Sequence, residues 1–211
     1  HKIIKPSKFS GNYIHYGVRE HAMCGIMNGL ALHSKFIPYG GTFLIFSDYC
    51  KPSIRLAAMM RQQVIYVMTH DSIGLGEDGP THQPIEQLSG LRAIPNLNIF
   101  RPADKLETIE CWELALKNSK TPSVLSLTRQ NLDPIRNKFT KENKCSSGAY
   151  EVLRTNKKIN LTILASGSEV NLAIETSHKL AKEKIYSKVI SVPSMELFEK
   201  QSKKYRNRIL N

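Results

Sequence analysis

The chain has 211 residues, 41% hydrophobic and 23% charged, with 12 Gly and 10 Pro. This composition excludes a collagen, a coiled coil or a disordered tail and allows a sizeable apolar core. The net charge of +12 is uneven, with 14 basic and 11 acidic residues over 1–135 against 16 and 7 over 136–211. From Arg19 to Lys35 the apolar positions Ala22, Met23, Ile26, Met27 and Leu30 follow the three-and-four spacing of a helix with one buried stripe. After Pro38-Tyr39-Gly40-Gly41, the run Thr42 to Phe46 has strand character, and Pro52 is expected in the first turn of a helix that continues to Met60. Val64 to Met68 reads as a strand buried on both faces because it barely alternates. The stretch from His70 to Pro84 is too polar and too broken by glycine to be either element. A helix near Ile85 to Ala93, a strand at Asn98 to Phe100, a helix from Asp104 to Lys117 and a strand at Ser123 to Thr128 follow. Short apolar strands alternating with amphipathic helices imply an α/β fold with a parallel sheet covered on both sides.

Residues 136–148 read as a linker within a polar connection that begins at Arg129 and carries Asn131, Asp133-Pro134 and Ser146-Ser147-Gly148. This divides the chain into a first domain over 1–135 and a second, partial α/β unit over 149–211. The second unit has strands at Tyr150 to Leu153, Leu161 to Ala165 and Val189 to Val192 and a helix from Ser168 to Lys184, and is also expected to have a parallel sheet. Its excess lysines lack aromatic interleaving and any nucleic-acid motif, so they read as a solvated face that could attract small anions. No apolar run approaches the ~18 residues of a bilayer span, and His1 to Pro6 lacks a signal peptide's apolar region. Neither nucleic acid nor membrane is expected as a partner. Cys24, Cys50, Cys111 and Cys145 form no CxxC pair, which points to free thiols in a reducing, cytoplasmic setting. A chain that opens on His reads as a piece of a longer protein.

Chemistry concentrates in His70-Asp-Ser-Ile-Gly-Leu-Gly-Glu-Asp-Gly-Pro-Thr-His-Gln-Pro84, which directly follows a predicted strand. Ligands of open α/β sheets bind at the carboxyl ends of their strands. Two histidines and three glycines make an expensive inert turn, since ordered glycine loses the most backbone entropy. Glu20 lies in a helix's first turn, where the dipole favours a carboxylate. Phe43, Phe46 and Tyr49 recur every third residue past a strand. Taken singly, Glu20 is explained as a helix start and the three rings as core.

Together, Tyr16-Gly-Val-Arg-Glu-His-Ala-Met23, Tyr39-Gly-Gly-Thr-Phe-Leu44, the Thr69 to Pro84 stretch, Phe100-Arg-Pro-Ala-Asp104 and Ser126-Leu-Thr-Arg-Gln-Asn131 resemble the transketolases in order and spacing. Ala165-Ser-Gly-Ser-Glu-Val170 resembles the start of their C-terminal domain. The resemblance implies a three-layer, parallel-sheet pyrimidine-binding domain followed by part of the C-terminal domain. It implies thiamine diphosphate as cofactor, clamped between this domain and the diphosphate-binding domain of a second subunit. The metal-binding Gly-Asp-Gly motif of that other domain is absent, because Glu77 precedes Asp78-Gly79, so no metal ligand is assigned here. Mg2+ or Ca2+ is expected to be held by the diphosphate-binding domain, and this chain alone is expected to be inactive.

By the same resemblance Glu20 hydrogen-bonds the pyrimidine ring nitrogen and controls its tautomer, while Phe43, Phe46 and Tyr49 hold the ring. His70 and His82 contact sugar oxygens during cleavage and transfer, Asp78 the donor hydroxyls, and Arg129 a phosphate. The implied reaction, in the pentose phosphate pathway, moves a two-carbon ketol unit from a ketose phosphate to an aldose phosphate. Alternatives are a non-catalytic or split-subunit module, a dihydroxyacetone synthase and a deoxyxylulose-phosphate synthase.

Overall fold

The computed structural model describes residues 2–211. After an irregular start, tied by a bridge between Ile3 and Tyr13, the first helix α1 spans Glu20–His33. Strand β1 (Tyr39–Phe43) then runs into a 3-10 turn, Leu44–Phe46, and on into α2 (Ser47–Met59). The expected strand at Thr42 to Phe46 is therefore displaced: its first two residues are the end of β1 and the rest is turn. Pro52 does not open the helix but lies within it. Its missing N–H leaves the carbonyl four residues earlier without a ladder bond, which is tolerable one turn into a helix that a 3-10 turn leads into.

Strand β2 (Ile65–Thr69), helix α3 (Gln87–Arg92), strand β3 (Asn98–Phe100), helix α4 (Lys105–Lys117) and strand β4 (Ser123–Ser126) complete the first unit. Asp104 caps α4 by accepting from the Glu107 N–H at 2.8 Å. The four strands are parallel in the order β1-β2-β4-β3. Residues of β2 alternate between two cores. Tyr66 and Met68 join Met23, Met27, Ile54 and Leu91 beneath α1, α2 and α3, whereas Ile65 joins Phe100, Cys111, Ala115 and Leu125 beneath α4. Burying one such Leu or Ile contributes roughly 2 kcal/mol. The buried Tyr66 hydroxyl donates to Asn28 Oδ1 at 3.1 Å, and the Asn28 amide to the Ser53 carbonyl at 2.8 Å, so this core carries no stranded polar group there.

A polar connection leads to β5 (Tyr150–Arg154), β6 (Leu161–Ala165), α5 (Glu169–Lys182), β7 (Ser187–Ser191), α6 (Met195–Glu199) and α7 (Lys203–Leu210). The second sheet has the order β5-β7-β6, with β6 parallel and β5 antiparallel to β7. The expectation of a second all-parallel sheet is thus corrected: a mixed sheet forms because β5 enters from the opposite direction. The lysine-rich end closes on a packed helix. Ser202 caps α7, and Ile209 buries with Ile190, Val192 and Ala149. Gly148 turns the chain into β5 in the left-handed region, and a Cβ there would lie 2.1 Å from the Phe198 backbone nitrogen. Only glycine fits. Among the described residues no helix is long and apolar enough to cross a membrane.

The two units share buried structure. Cys145 and Tyr150 pack into the α4 core, and the buried carboxylate of Glu107 on α4 accepts from Tyr150 Oη at 2.7 Å, Ser191 Oγ at 2.6 Å and the Ala103 N–H at 2.7 Å. Burial raises the Glu107 pKa against the opposing pull of these three hydrogen bonds. A carboxyl whose folded pKa exceeds its unfolded one lends its stability fully below the ordinary glutamate range, and loses it as pH rises through the raised folded value. Glu107→Gln should therefore flatten the stability profile over that window in urea titrations. Glu107→Ala, which strands two hydroxyls and an N–H, should cost about 3 kcal/mol.

Candidate active site

All four strands of the first sheet end on one edge: Phe43 lies opposite Thr69, Met68 opposite Ser126 and Phe100 opposite Leu125. The residues that follow β1 and β2 therefore meet side by side. His70, the first residue past β2, stacks on Phe43 with ring centroids 3.6 Å apart and planes 18° apart. Phe43 in turn lies nearly parallel to Phe46, 12° and 5.8 Å away, because the 3-10 turn brings residues three apart onto one side. Tyr49 continues the row at 6.0 Å from Phe46. His82, at the far end of the glycine-rich turn, presents its ring edge-on to Phe46 at 5.3 Å and to Phe43 at 6.3 Å. Five of the eight candidate residues thus form one cluster. Such offset and edge contacts between rings contribute about 0.5–1.5 kcal/mol each beyond area burial.

The remaining three are arranged differently. Arg129, exposed just past β4, brings its guanidinium to 3.9 Å from where a Cβ on Gly76 would lie, so it sits against the glycine-rich turn. Asp78 is exposed and forms no hydrogen bond or ion pair among the described residues. Glu20 opens α1 half-buried and is likewise without a hydrogen bond. One turn on, Cys24 is buried in the same core as Cys50 of α2, which adjoins Tyr49. That shared core, with the Ser53 Oγ to His21 Nδ1 contact at 3.3 Å, holds the first turn of α1 beside α2.

Each histidine is oriented by the hydroxyl of the threonine that precedes it: His70 Nδ1 lies 2.9 Å from Thr69 Oγ1 and His82 Nδ1 2.9 Å from Thr81 Oγ1. With Nδ1 occupied, Nε2 is the nitrogen left for a ligand. His70 also holds φ +58, a left-handed conformation that a non-glycine residue adopts at a cost of order 1–3 kcal/mol.

What holds it there was not among the candidate residues. Asp71, almost wholly buried, binds Arg101 Nε through Oδ2 at 2.7 Å. Arg101 is the first residue past β3, so it reaches across the end of β4 to the turn after β2. Its Nη1 bonds the Ser166 carbonyl at 3.0 Å and pairs with the Glu169 carboxylate of the second unit. Burial opposes its charge, but Asp71 and Glu169 outweigh that and hold its pKa above the usual arginine value. The available signal was an arginine at the carboxyl end of a strand, within a motif noted only for its likeness.

Residues 1–134 match the family model described as Transketolase, pyrimidine binding domain, and residues 148–211 that of the Transketolase-like TK C-terminal domain. The chain belongs to the transketolase family. The transketolase of Sinorhizobium medicae is 55% identical over 98% of this chain and 30% of its own length. A solved transketolase from Leishmania mexicana is 47% identical with a TM-score of 0.91, over 98% of this chain and 30% of that one. A Pichia stipitis transketolase variant, solved in complex with fructose-6-phosphate, is 43% identical with a TM-score of 0.93, over 99% of this chain and 31% of that one. The chain therefore spans about a third of the length of the transketolases it matches.

Transketolases depend on thiamine diphosphate, and the donor set here is compatible with part of that cofactor. Near-parallel Phe43 and Phe46, continued by Tyr49, offer faces to a flat heterocycle, and Glu20 offers a carboxyl without a competing partner. Among the described residues no group of three or more His, Cys, Asp and Glu side chains is placed to hold a metal ion. Removing the ring at the middle of the row should loosen the turn. Phe43→Ala should lower stability by about 1–2 kcal/mol, since the ring is only half-buried, and speed amide exchange across residues 70–84, whereas unchanged exchange there would mean that the stack does not anchor the turn.

Proposed function

We propose that this chain is the pyrimidine-binding part and a portion of the C-terminal domain of a transketolase that transfers a two-carbon ketol unit from a ketose phosphate to an aldose phosphate. The observation that carries this reading is the row of Phe43, Phe46 and Tyr49 meeting His70 and His82 at the carboxyl edge of a parallel sheet. Family membership supports it independently. The Pichia stipitis relative's complex with fructose-6-phosphate supports a sugar phosphate as substrate.

Thiamine diphosphate, when bound, supplies the electron sink on which a ketose can be cleaved. Phe43, Phe46 and Tyr49 hold its pyrimidine by ring faces and keep water from the reacting carbon. Glu20 holds a proton toward the pyrimidine ring nitrogen. His70 and His82 present ring nitrogens to the sugar's carbonyl and hydroxyl oxygens and move protons on and off them as the carbon–carbon bond breaks and re-forms. Asp78 accepts from donor hydroxyls, and Arg129 offers a two-pronged fork to the phosphate.

The diphosphate and its Mg2+ or Ca2+ belong to a complementary region lacking here, since this sequence has no Gly-Asp-Gly motif. We assign that region to the second subunit in a homodimer of the longer transketolase of which this chain is a part, so the 211-residue chain alone should show no turnover. The four free cysteines favour a reducing, cytoplasmic location, and the proposed ketol transfer is what points to the pentose phosphate pathway.

Two variants separate chemistry from recognition in the cofactor-loaded enzyme. Glu20→Ala should lower kcat about a hundredfold or more with a much smaller loss of cofactor affinity. Arg129→Ala should raise KM for phosphorylated sugars roughly tenfold while changing little for an unphosphorylated ketol donor. A kcat within a few fold of the parent would remove Glu20 from proton control, and equal effects on both donors would remove Arg129 from the phosphate. Formaldehyde as preferred acceptor would favour a dihydroxyacetone synthase instead.

A further inference from the structure

Arg101 touches none of the residues assigned to cofactor or sugar, yet it is buried and carries more side-chain bonds than any of them. Its contacts divide into two sets. Toward the active-site turn it makes one, Nε to Asp71 Oδ2 at 2.7 Å, and Asp71 Oδ1 has no hydrogen-bond partner among the described residues. Toward the second unit it makes several: Nη1 to the Ser166 carbonyl at 3.0 Å and to the Glu169 carboxylate, its backbone N–H to the Pro193 carbonyl at 2.8 Å, and its own carbonyl to the Gly167 N–H at 3.0 Å. Gly167 lies in the left-handed region at φ +59, and a Cβ there would come within 2.9 Å of Arg101 Nε. The glycine leaves room for the guanidinium to pass.

Asp71 directly follows His70, whose strained backbone and face-to-face stack on Phe43 both need the next residue to be fixed. Among the described residues the only charged group bonded to Asp71 is Arg101, which is itself seated by the second unit.

We propose that Arg101 is a positioning residue: it transmits the seating of the C-terminal unit through Asp71 to His70, so that a unit contributing no side chain to the aromatic row sets the placement of its imidazole. The catalytic meaning of that placement rests on the transketolase reading; the placement itself does not. A planar fork can serve Asp71 and the Ser166–Glu169 pair at once, whereas a lysine ammonium at the end of a flexible stem cannot hold both directions with the same geometry. The inference therefore concerns arginine at this position, not merely positive charge.

The test reads His70 directly. In the 211-residue chain labelled with 13C at histidine Cε1, the His70 signal, identified by its loss in His70→Asn, should be shifted upfield by the Phe43 face relative to the exposed His33 and His178. In Arg101→Lys it should move most of the way back toward them. In Glu169→Gln, a change on a partly exposed side chain, it should move part of the way, with His33 and His178 unchanged and unfolding still cooperative. Should Arg101→Lys fail to fold, Glu169→Gln decides. In the cofactor-loaded enzyme each variant should lower kcat, by about ten- to a hundredfold for Arg101→Lys, with little change in KM. A His70 signal that stays in place in folded Glu169→Gln, whether or not stability falls, overturns the proposal. If the signal moves as stated but the loaded parent transfers nothing from ketose phosphates, the positioning role stands and the transketolase reading falls.

Discussion

The buried ion pair between Arg101 and Asp71 is the constraint on which the geometry of the site depends. A carboxylate taken out of water is costly unless a well-aligned cation meets it, and removing one member of such a pair typically costs about 3–5 kcal/mol because the other is left charged in the interior. Here Nε meets Oδ2 at 2.7 Å, and the pair lies where the turn after β2 and the turn after β3 come together at one sheet edge. The parallel sheet supplies the edge. The ion pair converts an otherwise loose glycine-containing turn into one with a defined first residue, His70.

A second tie between the units acts at some distance from the site. Glu107 gathers Tyr150, Ser191 and the Ala103 backbone around one carboxyl on α4, and Arg136 pairs with Glu110 at 2.9 Å while lying over the Tyr150 ring at 5.2 Å. Together with the shared core of Phe100, Cys111, Cys145 and Tyr150, these contacts make the second unit part of the scaffold behind the sheet. Arg101 then has a rigid body to lean on. A loop residue positioned this way combines the exposure a ligand needs with the precision that loops usually lack.

The elements that could be read from sequence are those where one physical signal dominated. Leu161 to Ala165 is a mainly apolar run bounded by Asn160 and Ser166, Asn98 to Phe100 is a short strand stopped by Arg101-Pro102, and both have the expected limits. Asp104, a good N-cap before a periodic segment, marks the start of α4. Where two structures suit the same residues, sequence could not choose: Leu44, Ile45 and Phe46 are apolar enough for a strand but turn as a 3-10 helix, which is what aligns Phe43 with Phe46. The antiparallel entry of β5 depends on how the connection from α4 folds back, which no local pattern encodes. Arg101 was invisible for a related reason. An arginine after a strand looks solvated until Asp71 and Glu169, 30 residues before and 68 after it, are brought within reach.

The most direct measurement is a double-mutant cycle on that pair in the 211-residue chain, combining Asp71→Asn and Arg101→Leu and reading unfolding free energies from urea titration. If the pair is what fixes the turn, each single change should be severe and the double change much less than their sum, with a coupling of about 2 kcal/mol or more. Losses that add to within about 0.5 kcal/mol would mean that Asp71 and Arg101 act independently, and the account of how His70 is held would be wrong.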